Sequence, residues 1–255
     1  MSAVVTASSV FIGRSLRHSV RDGEALVMAV TMPVMLMLLF TYVFGGAVTG
    51  DPAAYAAYVT PGTVLLCAGF GAASTAVGVA GDLSGGMVDR LRRMPVPAWT
   101  VLVGHVVASL VRNLVATTVV LAVGVALGFR PAAGLAGWLG TIAVIALWIL
   151  AVTAVFALIG LLAGSPEAAN GYGFFVLFLP YVSSAFVPVD TLPTWLQGVA
   201  EHQPVTPVIE SVRAMLTGQD PGTDLWLALL WSSTLLAVAL VLAAWVFPRR
   251  RSHRA

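Results

Sequence analysis

GDLSGGMVDRLRRMPVPAW, residues 81–99, is the stretch that decides how this chain is built. It carries Asp82, Asp89, Arg90, Arg92 and Arg93, and it stands between two long apolar runs. Hydrocarbon offers no partner to such a charged island, so it must lie outside a bilayer while its flanks cross one. The spacing predicts a short helix from Ser84 to Arg93, stopped by Pro95 and Pro97, which cannot continue a helical hydrogen-bond ladder.

The whole composition agrees. The chain has 255 residues, 59% hydrophobic and 9% charged, with mean hydropathy +0.95. Soluble domains are about one quarter charged, so a water-soluble globule is excluded. Six runs reach spanning length, at 26–46, 57–80, 100–128, 135–163, 170–189 and 224–247. The fifth contains Pro180 and ends near Pro188, so it is expected to be kinked or partly re-entrant. The fold class expected is therefore an all-α integral membrane protein with six transmembrane helices. No internal repeat relates the two halves, which argues against an inverted-repeat transporter.

The basic residues give the orientation. All 13 are Arg. With six crossings, both termini and the 81–99 loop share one side, which holds Arg14, Arg17, Arg21, Arg90, Arg92, Arg93 and the tail arginines of 248–255. Only Arg130 and Arg213 fall in loops on the other side. The positive-inside rule then places both termini and the loop in the cytoplasm. Residues 1–25 set arginines opposite Ile12, Leu16 and Val20, the pattern of an amphipathic helix lying on the membrane face. A cleaved leader is disfavoured, because Asp22 and Glu24 precede the first apolar run and further runs follow. On the far side, 190–223 reads as two short amphipathic helices, 193–201 and 207–217, resting at the outer interface as a lid or as an anchor through Trp195.

Much chemistry is excluded. Without Lys there is no GxxxxGK[ST] loop, so the chain carries no phosphate-binding loop of that kind. The interiors of the runs hold no Asp or Glu, and His105 alone would have to carry protons, which disfavours a proton-coupled pump. The four His residues show neither metal spacing nor a Ser/His/Asp arrangement, and lone Cys67 allows no intrachain disulfide. No nucleic-acid partner is expected. Arg112, with Asn113 beside it, is the costly residue within a run. Either it pairs inside the protein or lines a polar cavity, or its helix starts below the membrane and Arg112 snorkels to the interface. Phe174, Phe178 and Tyr181 offer a greasy wall for a bulky apolar substrate, or else packing. Ser183 and Ser184 are candidates for bonds between helices. With Arg112 these residues form the candidate lining of a translocation path.

The layout over nearly the whole chain resembles the ABC-2 type permeases, specifically the daunorubicin-resistance-like bacterial drug exporters. The resemblance rests on GDLSGGMVDRLRRMPV (81–96), VLVGHVVASLVRNL (101–114), VGVALGFRP (123–131) and LPYVSSAFVPVDTLPTWLQGVAEHQPVTPVIESVRAMLTG (179–218). The family's usual Arg and Asp are here His105 and Ser109, which puts in doubt a charge pair at the head of the third run. The resemblance implies a permease subunit in the bacterial cytoplasmic membrane, paired with a second permease, identical or not, and with two separately encoded cytoplasmic ATPases. ATP and Mg would sit on those partners, and no cofactor on this chain, which would itself be no enzyme. It also implies that 81–99 is the coupling helix, with Asp82, Gly86, Met87, Asp89, Arg90, Leu91, Arg92, Arg93 and Pro95 docking on the ATPase. The domain organisation expected is 1–25 amphipathic helix, 26–247 membrane domain and 248–255 basic tail. The cargo expected is a hydrophobic drug, antibiotic or lipid, since the runs present apolar surface and almost no charge. Two other classes stay open: a secondary multidrug transporter, against which the missing intramembrane acids speak, and a non-transporting membrane scaffold, which leaves the coupling motif unexplained.

Overall fold

A computed structural model describes residues 23–87 and 100–249. The amphipathic stretch before residue 23, the centre of the charged loop and the end of the tail lie outside these. Every regular element among the described residues is helical. Helix α1 (Gly23–Leu39) runs through a π-helical turn, Phe40–Phe44, into α2 (Gly45–Thr49). Helix α3 (Pro52–Ser84) follows, 33 residues long, with Pro52 in its first turn and Asp51 accepting a hydrogen bond from the Ala53 amide at 3.0 Å. Then come α4 (Thr100–Ala126), α5 (Leu135–Leu162), α6 (Pro166–Leu177), the short helices α7 (Thr194–His202) and α8 (Val205–Leu216), and α9 (Gly222–Val246). Five segments are long and apolar enough to cross a bilayer: Ala29–Val48, α3, α4, α5 and α9.

Helix α3 is the hub. It packs against α1, α4, α5, α6 and α8, and most of its residues are buried. Close approach is possible because glycines recur seven residues apart, nearly two full turns, and so present one face to each neighbour. A Cβ on Gly71 would lie 1.7 Å from Asn113 Oδ1, and one on Gly78 would lie 3.1 Å from His105, both on α4. Gly62 and Gly69 serve the segment 166–188 in the same way, against Ala185 at 2.6 Å and Leu177 at 3.0 Å. On α9, which packs against α5 and α8, Trp226 and Trp245 are exposed. They stand about 28 Å apart along a helix, close to the hydrocarbon thickness, as expected of interfacial aromatic anchors.

The fifth apolar run does not form a continuous helix. Ser165 caps α6, accepting from the Ala168 amide at 3.2 Å, and Ser165 also holds the exposed Glu167 carboxyl below its usual range. Helix α6 stops after 12 residues, about 18 Å, too short for a bilayer. A 3-10 turn (Leu179–Val182) and an irregular stretch, 183–188, continue it. The contacts nevertheless climb steadily. Gly173 lies against Phe156, Leu177 against Gly69, Ala185 against Gly62, and Phe186 against Tyr55 near the start of α3. The run thus passes from the Asp82 end of the bundle to the Tyr55 end as a broken crossing, with Pro180 at the break.

The break near Pro180 fits the kinked run expected there, whereas the two short helices need a correction. Exposed Trp195 and Val199 do leave α7 at the surface. Helix α8, by contrast, buries Val205, Val208, Ile209, Val212 and Leu216 in the main core, against α3, α5 and α9. The Ala132 amide donates to Leu216 O at 2.9 Å and pins its far end. Arg213 of α8 also reaches the irregular stretch, donating to Ser184 O at 2.8 Å. Ile209→Ala should therefore lower stability by about 2–4 kcal/mol, whereas Trp195→Ala should cost under about 1 kcal/mol. Thermal unfolding in detergent checks this, and equal effects would refute the burial of α8.

Candidate coupling and translocation site

At the Asp82 end, α3 closes with the Gly85 amide donating to Gly81 O at 2.8 Å and the Gly86 amide to Leu83 O at 3.2 Å. Gly86 has φ +67°, a left-handed conformation that glycine adopts without a Cβ clash, so the chain turns sharply after Ser84. The expected helix from Ser84 therefore does not begin there; Ser84 ends α3. Asp82 lies in that last turn, inside the bundle's edge, where its Oδ2 is 2.8 Å from His105 Nε2 on α4. Both side chains are about one-fifth exposed, at 22%. His105 thus braces the two helices that bracket the charged stretch. Gly85 and Gly86 make the turn and Met87 is helical again, while Asp89, Arg90, Leu91, Arg92, Arg93 and Pro95 of the expected helix lie outside the described residues.

A pair at this exposure is worth little alone, so Asp82→Asn should cost about 1 kcal/mol. The double variant Asp82→Asn/His105→Gln should cost no more than the single one, because both remove one interaction. Strictly additive losses in thermal unfolding would refute the brace.

Further along, Arg112 turns to the neighbouring helix rather than along its own. Nη2 donates to Gly71 O at 2.8 Å and to Ser74 Oγ at 2.6 Å, both on α3. Gly71 lies 13 residues from the end of α3 at Ser84, about 20 Å, so the guanidinium is held against the middle of α3. Beside it, buried Asn113 donates to Ser109 Oγ at 3.1 Å, and Ser109 lies 3.1 Å from Thr153 of α5. Arg112 and this chain of hydroxyls link three crossings by polar contacts, which limits the ways these helices can slide.

The aromatic residues of the broken crossing form a ladder with those of the π-helical turn. Ring centroids are 5.5 Å apart for Phe174–Phe178, 5.8 Å for Phe178–Tyr181, 5.5 Å for Tyr181–Phe186 and 4.6 Å for Phe186–Phe40. Phe44 continues it at 5.4 Å from Phe40. The ladder runs from exposed Phe174 and Phe178 to buried Phe186. Ser183 and Ser184 do not join that surface. Both are buried; Ser183 Oγ donates to Pro180 O at 2.6 Å and accepts from the Ala185 amide at 3.1 Å, a local turn. Phe40, Phe44, Tyr55, Tyr58 and Arg213 complete the surroundings; the first four lie outside the quoted motifs, and Arg213 lies within 179–218 with no role assigned to it there. The only signal for Arg213 was Glu210 three residues before it.

Residues 6–217 match the family model described as ABC-2 type transporter. A daunorubicin resistance ABC transporter permease protein of Streptomyces coeruleorubidus is 27% identical over 253 residues, covering 99% of this chain and 89% of that protein. Probable doxorubicin resistance ABC transporter permease proteins from two Mycobacterium tuberculosis strains are 28% identical over 243 residues, covering 94% of this chain and 87% of theirs.

Proposed function

This chain belongs to the ABC-2 type transporter family, and from that premise we propose how it works as the permease of an ATP-driven exporter. The observation that carries the proposal is the brace: Asp82 and His105 hold together the two helices that bracket the charged stretch of the sequence at 81–99. Two cytoplasmic ATPase subunits, holding ATP and Mg, dock on that stretch through Asp89, Arg90, Arg92 and Arg93, with Met87 and Leu91 giving apolar contact. A second permease subunit completes the pathway. Both termini and the turn face the cytoplasm, on the side rich in arginine.

Closure of the ATPases displaces the turn. The brace passes the movement to α3 and α4 together, and the polar contacts of Arg112 carry it toward the broken crossing. The cargo is a hydrophobic drug, antibiotic or lipid. The relatives are named for resistance to daunorubicin and doxorubicin, and the exposed rings of Phe174 and Phe178 suit an apolar, ring-bearing molecule. This chain's own part is to bind, orient and release that molecule; the phosphoryl chemistry belongs to the partners.

Purification of the tagged chain from native membranes in mild detergent tests the reading. The expected result is a stoichiometric soluble subunit with a phosphate-binding loop, and ATP-dependent uptake of a hydrophobic drug by inverted vesicles. A chain that comes out alone after gentle crosslinking would refute it.

A further inference from the structure

The broken crossing has a second property, in how its backbone is held. In a helix the carbonyls are satisfied by the helix's own amides, so it can move as a body without losing them. In the stretch 182–186 the carbonyls of Val182, Ser184 and Phe186 are met by side chains of other elements. Gln203 Nε2 donates to Val182 O, and Tyr55 Oη donates to Phe186 O at 2.8 Å. Between them, Ser184 O accepts from Tyr58 Oη at 3.0 Å and from Arg213 Nη2 at 2.8 Å. Irregular backbone at membrane depth is tolerated only when its polar groups are satisfied by protein or water, so these donors are what keep the stretch in place.

Arg213 does more than cap. The same Nη2 reaches Tyr58 O at 3.2 Å, its guanidinium lies 4.0 Å from the Tyr58 ring centroid, and Nη1 is paired with Glu210. One side chain on α8 therefore joins α3, the irregular stretch and its own helix. Any movement of that stretch away from α3 must break these bonds.

We propose that Arg213 is a positioning residue for transport: with Tyr58 it bolts the irregular part of the crossing to α3 and α8 in the closed state, and its release lets the stretch around Ser184 swing open at the Tyr55 end. The bolt itself follows from the geometry; that it opens to the outside rests on the orientation given above.

Ser184 supplies the reporter. It is 2% exposed and its hydroxyl has no partner among the described residues, so Ser184→Cys places a shielded thiol at the bolt. Labelling is followed on intact cells with a membrane-impermeant maleimide. Tyr58→Phe removes one neutral bond and should speed labelling about fivefold. Glu210→Gln/Arg213→Met removes the charged bonds without stranding a carboxylate, and should speed it at least about tenfold. Arg213→Lys keeps the charge but not the fork and should fall between the parent and the double variant. Cys67, fully buried, is the folding control: the same variants without Ser184→Cys must stay unlabelled. If the double variant exposes Cys67, it has unfolded, and Tyr58→Phe decides. Parent rates in the folded variants would overturn the proposal. Faster labelling only in inverted vesicles would uphold the bolt and overturn the orientation.

Discussion

An Asp89→Ala/Arg90→Ala/Arg92→Ala variant is expected to reach the membrane at the parent's level, to purify without an ATPase, and to export nothing. The three residues follow in sequence the turn at Gly85 and Gly86 that ends α3. All three are charged, so truncating them removes no apolar side chain, and the helices on both sides stay joined by Asp82 and His105. Folding should therefore be nearly untouched. The complex should suffer heavily, because truncating a desolvated charge pair at an interface costs about 2–5 kcal/mol, and several are removed at once. Affinity should fall at least about a thousandfold on that basis. Co-purification at parental stoichiometry, with transport intact, would remove the coupling role from this turn.

Gly62→Val is expected to have the opposite profile, destroying the bundle before any partner is met. A Cβ at Gly62 would sit 2.6 Å from Ala185 Cα and 2.7 Å from its carbonyl oxygen, so the neighbour in the way is backbone. That backbone cannot retreat without losing the donors on Ser184 and Phe186. Overpacking a core costs about 1–3 kcal/mol when side chains can give way, and more where they cannot. Against a typical total of about 5–15 kcal/mol, the variant should be recovered poorly and unfold at markedly lower temperature. Gly46→Ala, at an open position with nothing within 4 Å of the added Cβ, serves as the control. A Gly62→Val protein as stable as that control would show that Ala185 does not pack there.

Much of this arrangement was legible in the sequence for plain reasons. Length and hydropathy locate crossings because the bilayer sets both, and Pro180 marked the run that breaks. A charged turn between apolar runs has one place to go. The fate of α8 was not legible: Val208, Ile209 and Val212 announce an apolar face, but periodicity does not say whether lipid or protein covers it. His105 gave no hint of Asp82, 23 residues earlier, because the pairing depends on how α3 and α4 align. The holding of the broken crossing was least visible. Tyr55 and Phe186 lie 131 positions apart, and the acceptor is a carbonyl that every residue has.

The length of α3 also has a mechanical meaning. At 1.5 Å per residue its 33 residues make a rod of about 50 Å, while the hydrocarbon slab is about 30 Å thick. Even when tilted, such a rod overhangs the slab, and its overhanging end carries the Asp82 brace. Pro61 leaves one rung of the rod's ladder unmade, a single turn from Tyr58, and a rod flexes where a rung is missing. The bundle thus contains a lever: force enters at a handle in water, and the far arm, beyond its compliant point, bears on Ser184 and Phe186. A shift of about 5 Å at the handle, one helical turn, tilts a 50 Å rod by about 6°. Small strokes by a soluble motor would be enough to work it.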